Sequence, residues 1–276
     1  MTTGCGDALD LRFASVGGCT ALTRRRYRWP LMIGRVFSDR TRSGVGSVTI
    51  QNCAGTIIPG DVVTQRIEVV DDGSAVVRGQ GATVVSGVPG GQAAVENTYL
   101  RVDKGSRLLF DPSPRILTTY AHYRQRTSVT VEPGGWALVV DAVVLHPDLT
   151  DETFGSFESR VAVTAPDGTL LALDARMLET MPRVRHSPKA FGTVYVIGGE
   201  LDAVLTALSR DLESLNVLTG ENRVYLAVSD LPNRAGWAVG LAASDGGTLR
   251  AAIAAVAERI EAESCLVSVE PVTNSR

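Results

Sequence analysis

The chain has 276 residues, 44% of them hydrophobic and 21% charged, with 27 basic side chains set against 30 acidic ones. That length is enough to bury a sizeable core, and a net charge of -3 gives no general attraction to nucleic acid or to an anionic membrane. Cys5, Cys19, Cys53 and Cys265 stand far apart with no CxxC and no Cys/His cluster, which argues against a disulfide framework or structural zinc and fits a reducing cytoplasm.

The N-terminal "MTTGCGDALDLRF" has no basic head followed by an apolar run and does not read as a signal peptide. Next comes "LTRRRYRWP", residues 22–30, in which Arg25, Arg26, Tyr27 and Trp29 crowd together. The charge is isolated and runs into Pro30, so a solvated strand edge or a protein-interface rim is expected before a nucleic-acid patch. Arg, Tyr and Trp are the residue types enriched in interface hot spots. Asp61 follows Gly60 in "GTIIPGDVV", where a loop turns into a strand. The closely spaced glycines of "GQGATVVSG" lack a strand-turn-helix context and read as a strand with its turn, Thr83 included.

One unit then appears four times: "RIEVVDDGSAVVRGQ" (66–80), "LRVDKGSRLLFDP" (100–112), "VTVEPGGWALVVDA" (129–142) and "VAVTAPDGTLLALDA" (161–175). Each opens with apolar residues at alternate positions (Ile67/Val69, Leu100/Val102, Val129/Val131, Val161/Val163), which places them on one face of a strand. Each then turns through Asp72-Gly73, Lys104-Gly105, Pro133-Gly134 or Asp167-Gly168, where glycine supplies positive φ, and an apolar run follows. Recurrence at about 30 residues predicts a layered or solenoid-like stack of β-hairpins; a β-sandwich with look-alike hairpins is the alternative.

Within "WALVVDAVVLHP", alternation puts Asp141 on the face of Ala137, Val139, Val143 and Leu145, while the other face carries Leu138, Val140 and Val144. A strand apolar on both faces therefore holds a carboxylate at its middle. Burial of that charge demands a partner, so Asp141 either makes a structural ion pair with an arginine or lines a water-filled path. Glu152 sits in a polar stretch between strands. Beyond residue 190 the chain becomes mixed: Leu201, Leu205, Leu208, Leu212 and Leu215 predict one amphipathic helix, and Leu249, Ile253, Val256 and Ile260 predict a second. The expected architecture is mainly β, a single domain over 1–276. Its β-rich layered part spans 20–190, and a mixed α/β part with two C-terminal helices spans 191–268.

Catalytic signatures are missing. His122, His146 and His186 do not pair at metal-ligand spacing, and neither GxSxG nor a P-loop is present. Aromatics at 5% and unclustered acids disfavour a polysaccharide hydrolase, so the expectation is a protein that is not an enzyme. The longest apolar stretch, "WALVVDAVVL", contains an aspartate and is too short to span a bilayer as a helix.

The order of segments resembles the urease accessory protein UreD (UreH) family. The carriers are "LTRRRYRWPLMIGRVF", "NCAGTIIPGDVV", "VDDGSAVVRGQGAT", "ENTYLRVDKGSRLLFDPSPRIL", "VTVEPGGWALVVDAVVL", "ETFGSFESRVAVTAPDGTLLALDARML" and "NRAGWAVGLAASDGGTLRAAIAAV", together covering roughly residues 20 to 260. A "Lys-x-Tyr-Arg" stretch usual after the first Ala-Thr is absent, and "HPDLTDE" replaces a Gly-Arg, which marks a divergent member. The resemblance implies a non-catalytic scaffold chaperone of urease maturation. Its implied partners are the urease apoprotein, a helical accessory protein (UreF) and a nickel-delivering GTPase (UreG), with neither nucleic acid nor membrane involved. It also implies no tightly bound cofactor and transient nickel in an internal route, and the cysteine usage and N-terminus give a cytoplasmic location. Asp61, Asp141 and Glu152 are the candidate metal-route acids, since oxygen ligands release a passing ion more readily than a Cys/His cage. Thr83 is a further lining residue, and Arg25, Arg26, Tyr27 and Trp29 are candidate partner-binding residues. A non-catalytic β-rich binding protein of another pathway is the alternative function.

Overall fold

The computed structural model describes residues 7–38, 44–181, 188–198 and 224–267. The chain opens with β1 (Leu9–Val16), β2 (Cys19–Tyr27), β3 (Leu31–Ile33), β4 (Phe37–Ser38), β5 (Gly46–Asn52) and β6 (Thr56–Ile57). Two three-strand coils follow: β7 (Val62–Val70), β8 (Ser74–Gly79) and β9 (Thr83–Val85), then β10 (Ala94–Val102), β11 (Arg107–Asp111) and β12 (Arg115–Leu117). After these come β13 (His122–Val131), β14 (Trp136–Leu145), β15 (Ser156–Thr164), β16 (Leu170–Leu178) and β17 (Ala190–Gly198). The C-terminal elements are β18 (Val224–Asp230), a 3-10 turn at Pro232–Arg234, β19 (Gly236–Ala243) and helix α1 (Gly246–Val267).

The repeated unit is not a hairpin in three of its four copies. β7, β10, β13 and β15 lie side by side and parallel in one sheet. Their successors β8, β11 and β14 lie parallel in a second sheet, after β5. Each turn therefore carries the chain round a corner between sheets, and strands pair with the equivalent strand of the next coil. A short third side stacks β6, β9, β12 and the end of β14. The layered expectation holds as a β-solenoid-like stack. Only 161–175 folds back on itself, as the antiparallel pair β15–β16 that closes the first sheet. Both arrangements need an apolar strand, a tight reversal and a second apolar strand, so local sequence does not separate them.

The first corner also departs from the glycine reading. Asp71 (φ 53°) and Asp72 (φ 55°) take the left-handed conformation there, which Asp tolerates better than most residues. Gly73 is needed for space instead, because a Cβ would sit 2.9 Å from the carbonyl oxygen of Val70. At the second and third corners Gly105 and Gly134 carry positive φ as expected.

Apolar side chains from both inner faces fill the interior, with Ile67, Leu100, Val129 and Val161 meeting Ala75, Leu108, Ala137 and Val139. β14 is apolar on both faces because its outer side (Leu138, Val140) packs under α1 through Leu249, Ile253, Val256 and Ile260. The second predicted helix thus forms where its leucine-type spacing placed it. The first, around Leu201–Leu215, lies outside the described residues. β17, β19 and β18 extend the second sheet antiparallel to β14, so this mixed part continues the same sheet.

Asp245 caps α1. Its carboxylate accepts hydrogen bonds from the Thr248 amide (2.9 Å), the Thr248 hydroxyl (2.7 Å) and the Ser244 hydroxyl (2.8 Å). The Thr248 hydroxyl first, then the Thr248 amide, holds its pKa down to about 2. Asp245→Ala is expected to cost about 1 kcal/mol in denaturant unfolding at neutral pH. A depressed folded pKa means that this contribution is complete above the ordinary aspartate range, near 3.9, and fades as pH falls towards 2. The gap between wild type and variant should therefore narrow in acid.

Candidate functional site: a polar file through the solenoid

In-register parallel pairing turns one inward position per coil into a column running along the solenoid. The first sheet places Glu96, Gln125, Ser159 and Arg176 in one such row, through the pairs Glu96↔Gln125, Gln125↔Ser159 and Ser159↔Arg176. The next row holds Gln65, Thr98 and Thr127, then the apolar Val161, and ends at Asp174. Asp141 and Tyr195 enter from the second sheet, and Arg115 from the third side. The strands are thus polar inward at their beginnings and apolar inward towards their corners.

These groups lie in one contiguous line, hydrogen-bonded except where the Tyr123 oxygen meets Gln125 Oε1. Gln65 Nε2 donates to Glu96 Oε1 (2.9 Å) and to Thr98 Oγ1 (3.0 Å). Arg115 clamps Glu96 from two nitrogens, Nη2 to Oε1 at 2.6 Å and Nε to Oε2 at 2.9 Å. Its remaining nitrogen donates to the carbonyls of Pro112 (3.0 Å) and Ser113 (2.8 Å), in the loop that separates β11 from β12. Tyr123 donates its hydroxyl to Glu96 (2.6 Å) and lies 3.3 Å from Gln125 Oε1. Gln125 Nε2 donates to Asp141 (2.9 Å), which also accepts from Ser159 (2.5 Å) and from Arg176. Arg176 reaches Tyr195 (3.0 Å), whose hydroxyl donates to Asp174.

Burial and charge set the protonation states along this line. Burial alone would push Glu96 up, but the Arg115 charge, with hydrogen bonds from Arg115 and Tyr123, holds it below the usual carboxylate range. Burial would likewise depress Arg176, and Asp141, Tyr195 and Asp174 together outweigh it, so the guanidinium stays protonated. Tyr123 and Tyr195 are pushed well up, by burial first, and remain neutral donors. The file is therefore a series of ion pairs joined by neutral amide and hydroxyl groups. One opposed pair is Glu96–Arg115 and the other is Asp141–Arg176, with Asp174 lying 3.7 Å from Arg176 Nε.

Each end of the file meets an opening. Gln65, Glu96 and Arg115 border a cavity of about 30 Å³ shared with Leu31, Asn52 and Thr83, room for about one water. Arg176 forms the floor of a groove of about 510 Å³ with Met177, Phe191, Thr193, Tyr225 and Gly240.

Of the residues predicted from sequence, Asp141 alone stands inside the file, and it has the arginine partner that its burial demanded. Thr83 lines the small cavity. Asp61 is half-buried on the turn before β7, where its carboxylate accepts from the Ile58 amide (3.0 Å). Glu152 is exposed on the turn between β14 and β15. The structure therefore does not bring the three acids together. Arg25 stacks over Tyr27 (5.3 Å to the ring centre) on the edge strand β2, and Trp29 beyond it is 71% exposed. Sequence reasoning missed Glu96, Arg115, Tyr123, Gln125, Ser159 and Arg176. The signal was present: extending each apolar alternation backwards by two or four residues reaches Gln65, Glu96, Gln125 and Ser159. Among the described residues no three His, Cys, Asp or Glu side chains converge as a metal cage, and no helix is long and apolar enough to cross a membrane.

Comparison with known proteins gives the same direction across nearly the whole chain. Residues 6–272 match the family described as UreD urease accessory protein. A urease accessory protein UreD from Mycolicibacterium smegmatis is 57% identical over 243 residues, covering 88% of this chain and 86% of that one. UreD 2 from Bradyrhizobium sp. BTAi1 is 32% identical, covering 90% and 87%, and UreD from Haloarcula marismortui is 30% identical, covering 84% and 78%. A parallel solenoid with a charged file in its core, carried by a sequence matched from end to end, belongs to the UreD urease accessory protein family.

Proposed function

We propose that the chain is a non-catalytic scaffold in urease maturation, holding apo-urease close to a helical accessory protein and a nickel-delivering GTPase while nickel passes along its interior. The observation that carries this reading is the continuous polar file joining two openings through an otherwise apolar core. Nickel is cargo here and does not stay. Glu96, Asp141 and Asp174 offer oxygen donors in succession, and Gln65, Gln125, Ser159 and Tyr195 offer neutral oxygens between them. Each carboxylate is already engaged by an arginine or a tyrosine, so a cation gains only the difference between two partners and is not held tightly. The groove gives Arg176, which is 30% exposed, space to swing away from Asp141. Thr83 stands at the other mouth. Asp61 and Glu152 would act at the outer surface, as acids near the approach. Arg25, Arg26, Tyr27 and Trp29 supply an exposed partner face near that same end.

The test is co-expression of the tagged full chain with urease apoprotein and the other accessory proteins, followed by co-purification and nickel-dependent urease activity. Retention of the partners together with activation that requires this chain is the expected result. Failure to bind any of them, with urease activated equally well in its absence, would remove the maturation role.

A further inference from the structure

The two edges of the first sheet are protected unequally. β2 carries Arg24, Arg25 and Arg26 in succession, a charge run of the kind that blocks strand addition. β16, "LLALDARML", is nine residues long, pairs only with β15 among the described residues, and has neither proline nor lysine. Its outward side chains Leu173 and Met177 are 52% and 64% exposed. At its start Asn233 Nδ2 donates to the Leu171 carbonyl (2.7 Å), which covers the first part of the edge; the rest meets no other strand among the described residues. Across the groove stands the other sheet's terminal strand, β18, with Tyr225 57% exposed. Among the described residues two unpaired edges thus flank an apolar trough, where a solenoid ordinarily needs a cap.

Charge specifies what fits. On the outer face next to β16, Arg126 pairs in register with Arg160, and Arg160 with Ala175. Arg124 and Arg160 share the single carboxylate of Glu158 (3.5 and 2.7 Å), and Arg126 makes no hydrogen bond or ion pair among the described residues. A second copy of this chain would bring the same basic face and leave it unneutralised. We propose that β16 accepts an extended segment of a partner protein as an added strand, its alternate apolar residues entering the groove beside Tyr225 and its acidic residues on the outer face that carries Arg160 and, farther in, Arg126. Backbone pairing supplies affinity, and alternation of apolar with acidic residues supplies selection. This surface does not depend on a metal route.

The probe is a blocked ten-residue peptide of alternating valine and glutamate, compared with its valine–lysine counterpart, titrated against the full chain by fluorescence anisotropy and hydrogen exchange. The acidic peptide is expected to bind at least ten-fold more tightly and to slow exchange of the amides of 173–178. Binding should weaken at least ten-fold in Tyr225→Lys, whose exposed site leaves the melting temperature unchanged. Arg126→Glu/Arg160→Glu should invert the preference between the peptides. Equal binding of both peptides, or no protection of β16, overturns the proposal. Protection that rises with protein concentration and no peptide overturns it in favour of self-association. Since neither peptide contains urease sequence, these outcomes are separable from a failure of urease activation.

Discussion

Replacing Glu96 by alanine is expected to destabilise the fold by about 3–5 kcal/mol, because it leaves the buried Arg115 guanidinium without its counter-ion. Arg115 cannot escape by neutralising itself: an arginine keeps its proton at any ordinary pH, although burial disfavours the charge once Glu96 is gone. Glu96→Met/Arg115→Met should be less destabilised than Glu96→Met or Arg115→Met alone, as removing both charges also removes both desolvation costs. Urea unfolding of the four proteins closes that cycle, and additive single effects would show that the two side chains do not act as a pair. The pH dependence has a definite sign. Glu96 is held below the ordinary glutamate range of about 4.3 in the folded chain, so the unfolded chain takes up its proton first. The contribution is fully present above that range and is lost as pH falls through the folded value. Wild type should therefore lose stability in acid more steeply than Glu96→Gln.

How much of this was legible before any coordinates depends on whether the signal is local. Alternation of Ile67/Val69, Leu100/Val102 and their counterparts, and the turns after them, were readable because period two is a property of a single strand. Whether such a turn makes a hairpin or a corner depends on which distant strand sits alongside, and Val129 lies in register with Leu100, not with the strand that follows its own turn. That pairing has no local code. The centre of β14 could be read as a carboxylate buried among apolar neighbours, and the demand for an arginine followed from desolvation alone. Its identity as Arg176, 35 residues on, required the antiparallel closure of β16 onto β15. Asp61 and Glu152 stand outside the file for an opposite reason. Acids at turns satisfy backbone amides, as Asp61 does for Ile58, and such local bonding gives no information about the interior.

Asp141→Asn separates a structural file from a conducting one. Asparagine keeps the shape and can still accept one hydrogen bond from Arg176 or Gln125, while Asp174 remains 3.7 Å from the guanidinium to offset its charge. The stability cost should thus stay within about 1–3 kcal/mol, the range for losing hydrogen bonds to a charged acceptor. A cation at the middle of the core fares much worse. Its other anionic neighbours among the described residues would be the Arg115-bound Glu96 and the Tyr195-bound Asp174, and an unneutralised charge in the interior is far more costly than a lost hydrogen bond. If nickel passes here, urease activity per urease protein should fall at least ten-fold in cells carrying Asp141→Asn, with the co-purified complex unchanged in composition. Ser159→Ala removes one donor to the same carboxylate and leaves the charge in place, so its activation should stay within a few-fold of wild type. Full activation by both variants would make the file a set of structural ion pairs and move any nickel path to the outer surface. A fall in both, with partners lost from the complex, would trace the effect to folding. Only the split between charge and hydrogen bond, at constant assembly, identifies Asp141 as a step on the route.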